Sequence, residues 1–100
     1  MVFRNFTPHS IKLNDGIQFM SEGIARVSAS FSKFEDGVCS QVFGEVTGLP
    51  EQEEGTSIIV SSLVLMASNR TDLVAPATGH PETIRNEKGH IVSVPGFVRR

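Results

Sequence analysis

One hundred residues, 39% hydrophobic and 20% charged, suffice for one domain with a modest core and are too few for two. A net charge of −2 and a pI near 5.9 leave out the basic stripe that a sequence-independent nucleic-acid binder needs to displace counterions. The single cysteine, Cys39, excludes an intramolecular disulfide, and Met1 to Pro8 lacks the apolar core of a signal peptide, so a reducing, cytoplasmic setting is the expectation.

Taken in order, Val2 to Phe6 predicts a first strand, interrupted at Thr7-Pro8-His9-Ser10, where Pro8 lacks an N–H and marks an edge or a bend. Ile11-Lys12-Leu13 and Ile17-Gln18-Phe19 flank Asn14-Asp15-Gly16, a strong hairpin signal because Asp-Gly tolerates the positive φ of primed turns. Ser21-Glu22-Gly23 turns the chain into Ile24 to Phe34. There Val27, Ala29 and Phe31 alternate with Arg26, Ser28, Ser30 and Ser32, the pattern of a half-buried antiparallel strand. Glu35-Asp36-Gly37 turns again, and Val38 to Val46 is the return strand, with Gly44 marking a bulge or a close backbone approach. Glu51-Gln52-Glu53-Glu54-Gly55 is an acidic surface loop whose spacing fits no calcium-binding pattern.

Gly55 to Gly79 holds the densest apolar run. The β-branched Ile58-Ile59-Val60 predicts a buried strand, and Leu63-Val64-Leu65-Met66-Ala67 a short helix. Ser61 or Ser62 is the N-cap, and the helix ends near Ser68 or Asn69. With no polar face it is expected to be buried on most sides. A membrane span needs about 20 apolar residues, and the serines interrupt this run. Asp72 to Pro76 is then extended, followed by a loop to Glu82. Thr83–Asn86 and His90–Val94 form a hairpin around Glu87-Lys88-Gly89, with Gly89 at the left-handed bulge position, and Phe97-Val98-Arg99 is a last short strand. The fold class is α+β: a mostly antiparallel sheet of about six to eight short strands and one short buried helix near residues 62–69, in a single domain 1–100.

Three separated segments have a family look. Asn5 to Ile11 resembles an "NLTPHxI" signature. Gly44 to Pro50, followed by Ile59 to Val64, resembles "GEVxGLP … YIVSxLV". Arg70-Thr71-Asp72-Leu73 with Pro76 and Thr78-Gly79, then Ile84 to Ile91, resembles "RxDLxxPxTG … IRNEKGxI". Together they are similar to a family of short, functionally uncharacterised proteins encoded by tailed phages, prophages and some bacterial genomes. Ser57-Ile58 departs from the pattern, which favours an aromatic before Ile-Val-Ser. The resemblance implies a phage or prophage origin. By association it implies a counter-defence role, such as sequestering a nucleotide signal of bacterial immunity.

Three places suggest chemistry. The strand–Ser61–Ser62–helix junction offers free N–H groups to an anion, or is a plain N-cap. In Asn69-Arg70-Thr71-Asp72, Arg70 offers a fork for phosphate or carboxylate and Asp72 suits a ribose hydroxyl. The alternative is a helix C-cap at Asn69 beside a surface Arg70–Asp72 pair. Asn5, Thr7 and His9 alternate, which places them on one face for a polar ligand or in a structural network. Thr78 in the adjoining loop and Arg85 complete the candidate set, Arg85 as one of five arginines, with Arg26, Arg70, Arg99 and Arg100, that could converge. No metal-ligand spacing, P-loop or nucleophile elbow is present, and no cofactor is implied. The expected function is a small-molecule binding module for a phosphorylated or nucleotide-like ligand. The alternatives are a structural or protein-interaction component of a phage, and a phosphoester-cleaving enzyme using His9 or His80 with Arg70. A nucleic-acid or membrane partner is not expected. A homo-oligomer is, since a small sheet with several edges needs cover.

Overall fold

The β-branched run of Gly55–Gly79 lies where such side chains pack best, inside a sheet covered on both faces. In the computed structural model, which describes residues 2–100, β6 (Thr56–Ile59) sits between β1 (Val2–Asn5) and β7 (Leu73–Pro76), and β10 (Phe97–Val98) closes the far edge. β1 pairs with β6, and β6 with β7, in parallel; β10 runs antiparallel to β7. This corrects the mostly antiparallel expectation at its centre. The connection from β6 to β7 carries a helix, and a strand–helix–strand crossover makes parallel neighbours.

Antiparallel pairing holds in three hairpins: β2 (Ile11–Lys12) with β3 (Gln18–Phe19), β4 (Arg26–Phe31) with β5 (Gln41–Thr47), and β8 (Ile84–Arg85) with β9 (Ile91–Ser93). The described residues thus form ten strands, and not six to eight, because Pro8 and the turns divide the chain into shorter pieces. Pro8 stands in a bend just after the edge strand β1.

The helix α1 (Ser62–Ala67) is six residues long. Ser61 is its N-cap, its Oγ accepting from the Val64 N–H at 3.3 Å. Ser68, and not Asn69, caps the other end, its N–H donating to Val64 O. Val64 and Leu65 are buried while Leu63 and Met66 are exposed, so burial on most sides is corrected to burial on one. Leu63 and Met66, three apart, share the open face.

Alternation along β6 and β7 supplies both sides of the sheet. Ile58, Val60, Leu73 and Ala75 join Phe6, Ala25, Val64 and Leu65 in one buried cluster, against which Val27, Val46 and Leu49 pack. Ile59 and Val74 are buried as well. On their face Phe3, Phe19 and Phe97 form a ring trio with centroids 4.9–5.8 Å apart, a spacing that favours aromatic contact. Each fully buried Ile, Leu or Val contributes about 1.5–3 kcal/mol.

The turns refine the sequence reading. Asp36 and Gly37 both have positive φ, 52° and 80°, and Glu35 exchanges backbone hydrogen bonds with Val38, so the primed turn is here. Asn14-Asp15-Gly16 makes a hairpin at the expected place but of another kind. The Gly16 N–H donates to Leu13 O and the Leu13 N–H to Ile17 O, a three-residue loop with a left-handed third residue. Asn86 to His90 repeats that pattern with Gly89 in the expected role. A register shift between Val27 and Ala29 places a bulge opposite them. A Cβ on Gly44 would lie 2.2 Å from Ser28 Oγ, so a larger residue there requires that hydroxyl to turn away.

Candidate functional site

Three parallel strands in one sheet release their loops at one edge, and that edge is where ligands of such sheets usually bind. Here the carboxyl ends of β1, β6 and β7 lead into Thr7 and His9, into Ser61 and Ser62, and into Thr78. These five residues line one pocket of about 460 Å³. Its other walls are Ser10, Ile11 and Lys12 from the first hairpin, Pro76, and Ile91 to Val94 around β9. Five of the ten sequence candidates therefore converge, although they span Thr7 to Thr78.

The first hairpin reaches β9 through backbone bonds from Asn14 N–H to Val94 O and from Val94 N–H to Lys12 O. Side chains lock the contact: Ser93 Oγ and Asn14 Oδ1 are 2.6 Å apart, and Asn14 Nδ2 donates to Glu82 O at 2.9 Å. Ile91 and Val92 remain exposed in the pocket wall. Around them, the Lys12 ammonium and the Ser62 and Thr78 hydroxyls have no side-chain partner among the described residues. The pocket thus combines an apolar wall, unpaired hydroxyls and one free cation, in the volume range of small-molecule sites.

Asn5 lies beneath this pocket and holds it in shape. It is 1% exposed, and all its hydrogen-bonding capacity is used within the chain. Nδ2 donates to His9 O at 2.8 Å and to Phe19 O at 3.0 Å. Oδ1 accepts from the Thr7 N–H at 2.9 Å and lies 2.7 Å from Thr7 Oγ1, and Ser21 Oγ donates to Thr7 O at 2.7 Å. The Asn5–His9 loop is a closed structural network. Asn5 shapes the pocket without lining it.

Asn69, Arg70 and Asp72 lie elsewhere. β7 begins at Leu73, so they precede it at the opposite edge of the sheet. Arg70 Nε meets Asp72 Oδ1 at 2.9 Å and Nη2 meets Oδ2 at 2.6 Å, while Nη1 donates to Pro50 O at 2.7 Å. The Asp72 side chain is only 4% exposed, so this is a half-buried clamp on the loop after β5 and not a loose surface pair. The hydrogen bond to Asp72 is the main cause that holds the Arg70 pKa above its ordinary value. Burial works against it, and the charge of Asp72 adds to the rise. Arg99 and Arg100 come beside Arg70 and Asn69 around a second cavity. Arg26 and Arg85 are not in that group, so the five arginines do not converge. Arg85 instead donates to Gly89 O and Thr78 O, tying the last hairpin to the loop that carries Thr78.

Lys12, Ile91 and Val92 were not marked by the sequence. Their only signal was membership of two predicted hairpins, and nothing local says that residues near 12 and 92 meet. No family model matches the chain, and neither a curated protein nor a solved structure does. Among the described residues no helix is long and apolar enough to cross a membrane.

Proposed function

We propose that this protein is a non-enzymatic binding module for a small phosphorylated or nucleotide-like ligand, held at the carboxyl ends of β1, β6 and β7. The observation that carries the reading is the grouping of unpartnered Lys12, Ser62 and Thr78 around exposed Ile91 and Val92. A flat apolar ring suits the Ile91–Val92 wall, hydroxyls suit a sugar edge, and the Lys12 ammonium suits a phosphate. Together with the resemblance to phage-encoded proteins, this makes sequestration of a nucleotide signal the biological form of the proposal. Arg70, the partner of the histidine in the phosphoester-cleaving alternative, is bound to Asp72 and Pro50 O away from the pocket that His9 lines, which favours binding over that mechanism.

Calorimetry against a panel of linear and cyclic nucleotides tests the proposal. One member is expected to bind, and Lys12→Ala and Thr78→Val should each weaken it. Loss of a charge-assisted hydrogen bond is worth about 1.5–3 kcal/mol, or roughly ten- to a hundredfold in Kd, for the lysine. No binding anywhere in the panel overturns the nucleotide reading. Binding untouched by both variants but lost in Arg70→Ala moves the site to the opposite edge.

A further inference from the structure

The β4–β5 ribbon breaks the rule that its own sequence suggests. Val27 and Val46 at its base pack on the core, but its far half has no cover. Phe31, Phe34, Val38 and Val42 are 67%, 73%, 69% and 55% exposed. Phe31 pairs with Gln41 and Ser30 with Val42, so Phe31 and Val42 point to opposite faces. The far half thus shows apolar side chains on both faces, set among the exposed Ser32, Lys33, Glu35 and Asp36. Such a tip is built to enter a groove and not to lie on a flat surface. The chain's Cα radius of gyration, 15.2 Å, against about 13 Å for a compact domain of this length, agrees with a projecting arm. A two-stranded ribbon alone is marginal in water.

A matching groove lies at the other end of the same ribbon. A cavity of about 600 Å³ is lined by Phe6, Pro8, Ile24, Val27 and Leu63, with Arg26 and Glu45 also on its walls. The ribbon from Val27 to Phe34 spans roughly 23 Å at 3.3 Å per residue, so a tip cannot reach the groove of its own chain. We infer that the partner is a second copy, with each tip seated in the other's groove about a two-fold axis through the middle of the ribbons. That closed arrangement fills both features at once.

The charges agree. The chain's ion pairs among the described residues join Arg4 to Glu22, Arg70 to Asp72 and His80 to Glu82. Lys33, Glu35 and Asp36 near the tip and Arg26 and Glu45 at the groove take part in none of them. Antiparallel ribbons bring Lys33 toward Glu45, and Glu35 and Asp36 toward Arg26. Phenylalanines bury about 150–250 Å² each. At the observed exposures of Phe31 and Phe34, two tips in two grooves hide roughly 800–1,400 Å², around the ~1,200 Å² lower bound of specific interfaces.

Sedimentation equilibrium from about 1 to about 100 μM, the weak end of interfaces of this size, reads the mass directly. The full chain is expected at twice 10.9 kDa. Phe34→Asp and Leu63→Asp, both at exposed positions, should each give a 10.9 kDa monomer with unchanged far-UV circular dichroism. In a Cys39→Ser background, Phe34→Cys with Leu63→Cys should cross-link two chains on oxidation, and neither single variant should do so between tip and groove. A chain that sediments as a monomer throughout overturns the inference. So does a dimer that survives both aspartates, or failure of the double-cysteine variant to cross-link.

Discussion

Replacing Asn5 by alanine tests how the pocket floor is held. The Thr7 hydroxyl loses nothing essential, because it can turn to His9 O at 3.0 Å. The buried Thr7 N–H has no such alternative, and an unsatisfied buried donor costs about 1–3 kcal/mol. The carbonyls of His9 and Phe19 each lose a donor, worth about 0.5–1.5 kcal/mol apiece. The expected total is about 3 kcal/mol, or a fall in Tm of roughly 12–24 °C for a domain of this size. With no Trp or Tyr in the chain, urea denaturation is best followed by far-UV circular dichroism. Asn5→Asp should be at least as harmful at neutral pH, since it keeps the acceptor but turns a carboxylate toward two carbonyl oxygens. Thr7→Val should cost only about 1 kcal/mol. A loss below about 1 kcal/mol for Asn5→Ala would refute the closed-network account.

Arg70→Ala leaves the Asp72 carboxylate buried and unpaired and releases Pro50 O, so it should cost about 2–3 kcal/mol, below the fully buried range because Arg70 is partly open. Ligand affinity measured well below its Tm should be unchanged. The raised Arg70 pKa has a definite sign: its stabilisation is complete below the ordinary arginine value and is lost only as pH rises through the higher folded value. Arg70 deprotonation therefore contributes nothing to a stability titration between about pH 5 and 9. Gly37→Ala places a Cβ at φ 80° in the primed turn and should cost about 1–2 kcal/mol by thermal melt. Ser61→Ala removes a long cap bond and should cost about 0.5–1 kcal/mol.

Local signals carried well from sequence to fold. The hairpin ends, the Gly89 bulge position, the bulge at Gly44 and the serine N-cap each depend on a few neighbouring residues. The parallel centre was not read, although the clue was there. Ile58-Ile59-Val60 and Leu73-Val74-Ala75 are continuous apolar runs, the mark of strands buried on both faces, separated by a helix. The half-buried reading of Val27, Ala29 and Phe31 was right about pattern and wrong about cover for Ala29 and Phe31, because no element among the described residues lies over the tip. At the pocket, Thr7, His9, Ser61, Ser62 and Thr78 were picked for chemistry, but their meeting depends on topology. Lys12 could not be chosen, since its place in the pocket wall comes from a contact between Asn14 and Ser93, 79 residues apart.

The most direct test of the account is an amide chemical-shift map of the labelled protein titrated with the nucleotide that binds in the panel. The account predicts perturbations concentrated at Thr7, His9, Lys12, Ser62, Thr78 and Val92, with Asn69 to Asp72 unmoved. Shifts centred on Asn69 to Asp72 and Arg99, with the carboxyl ends of β1, β6 and β7 silent, would contradict it.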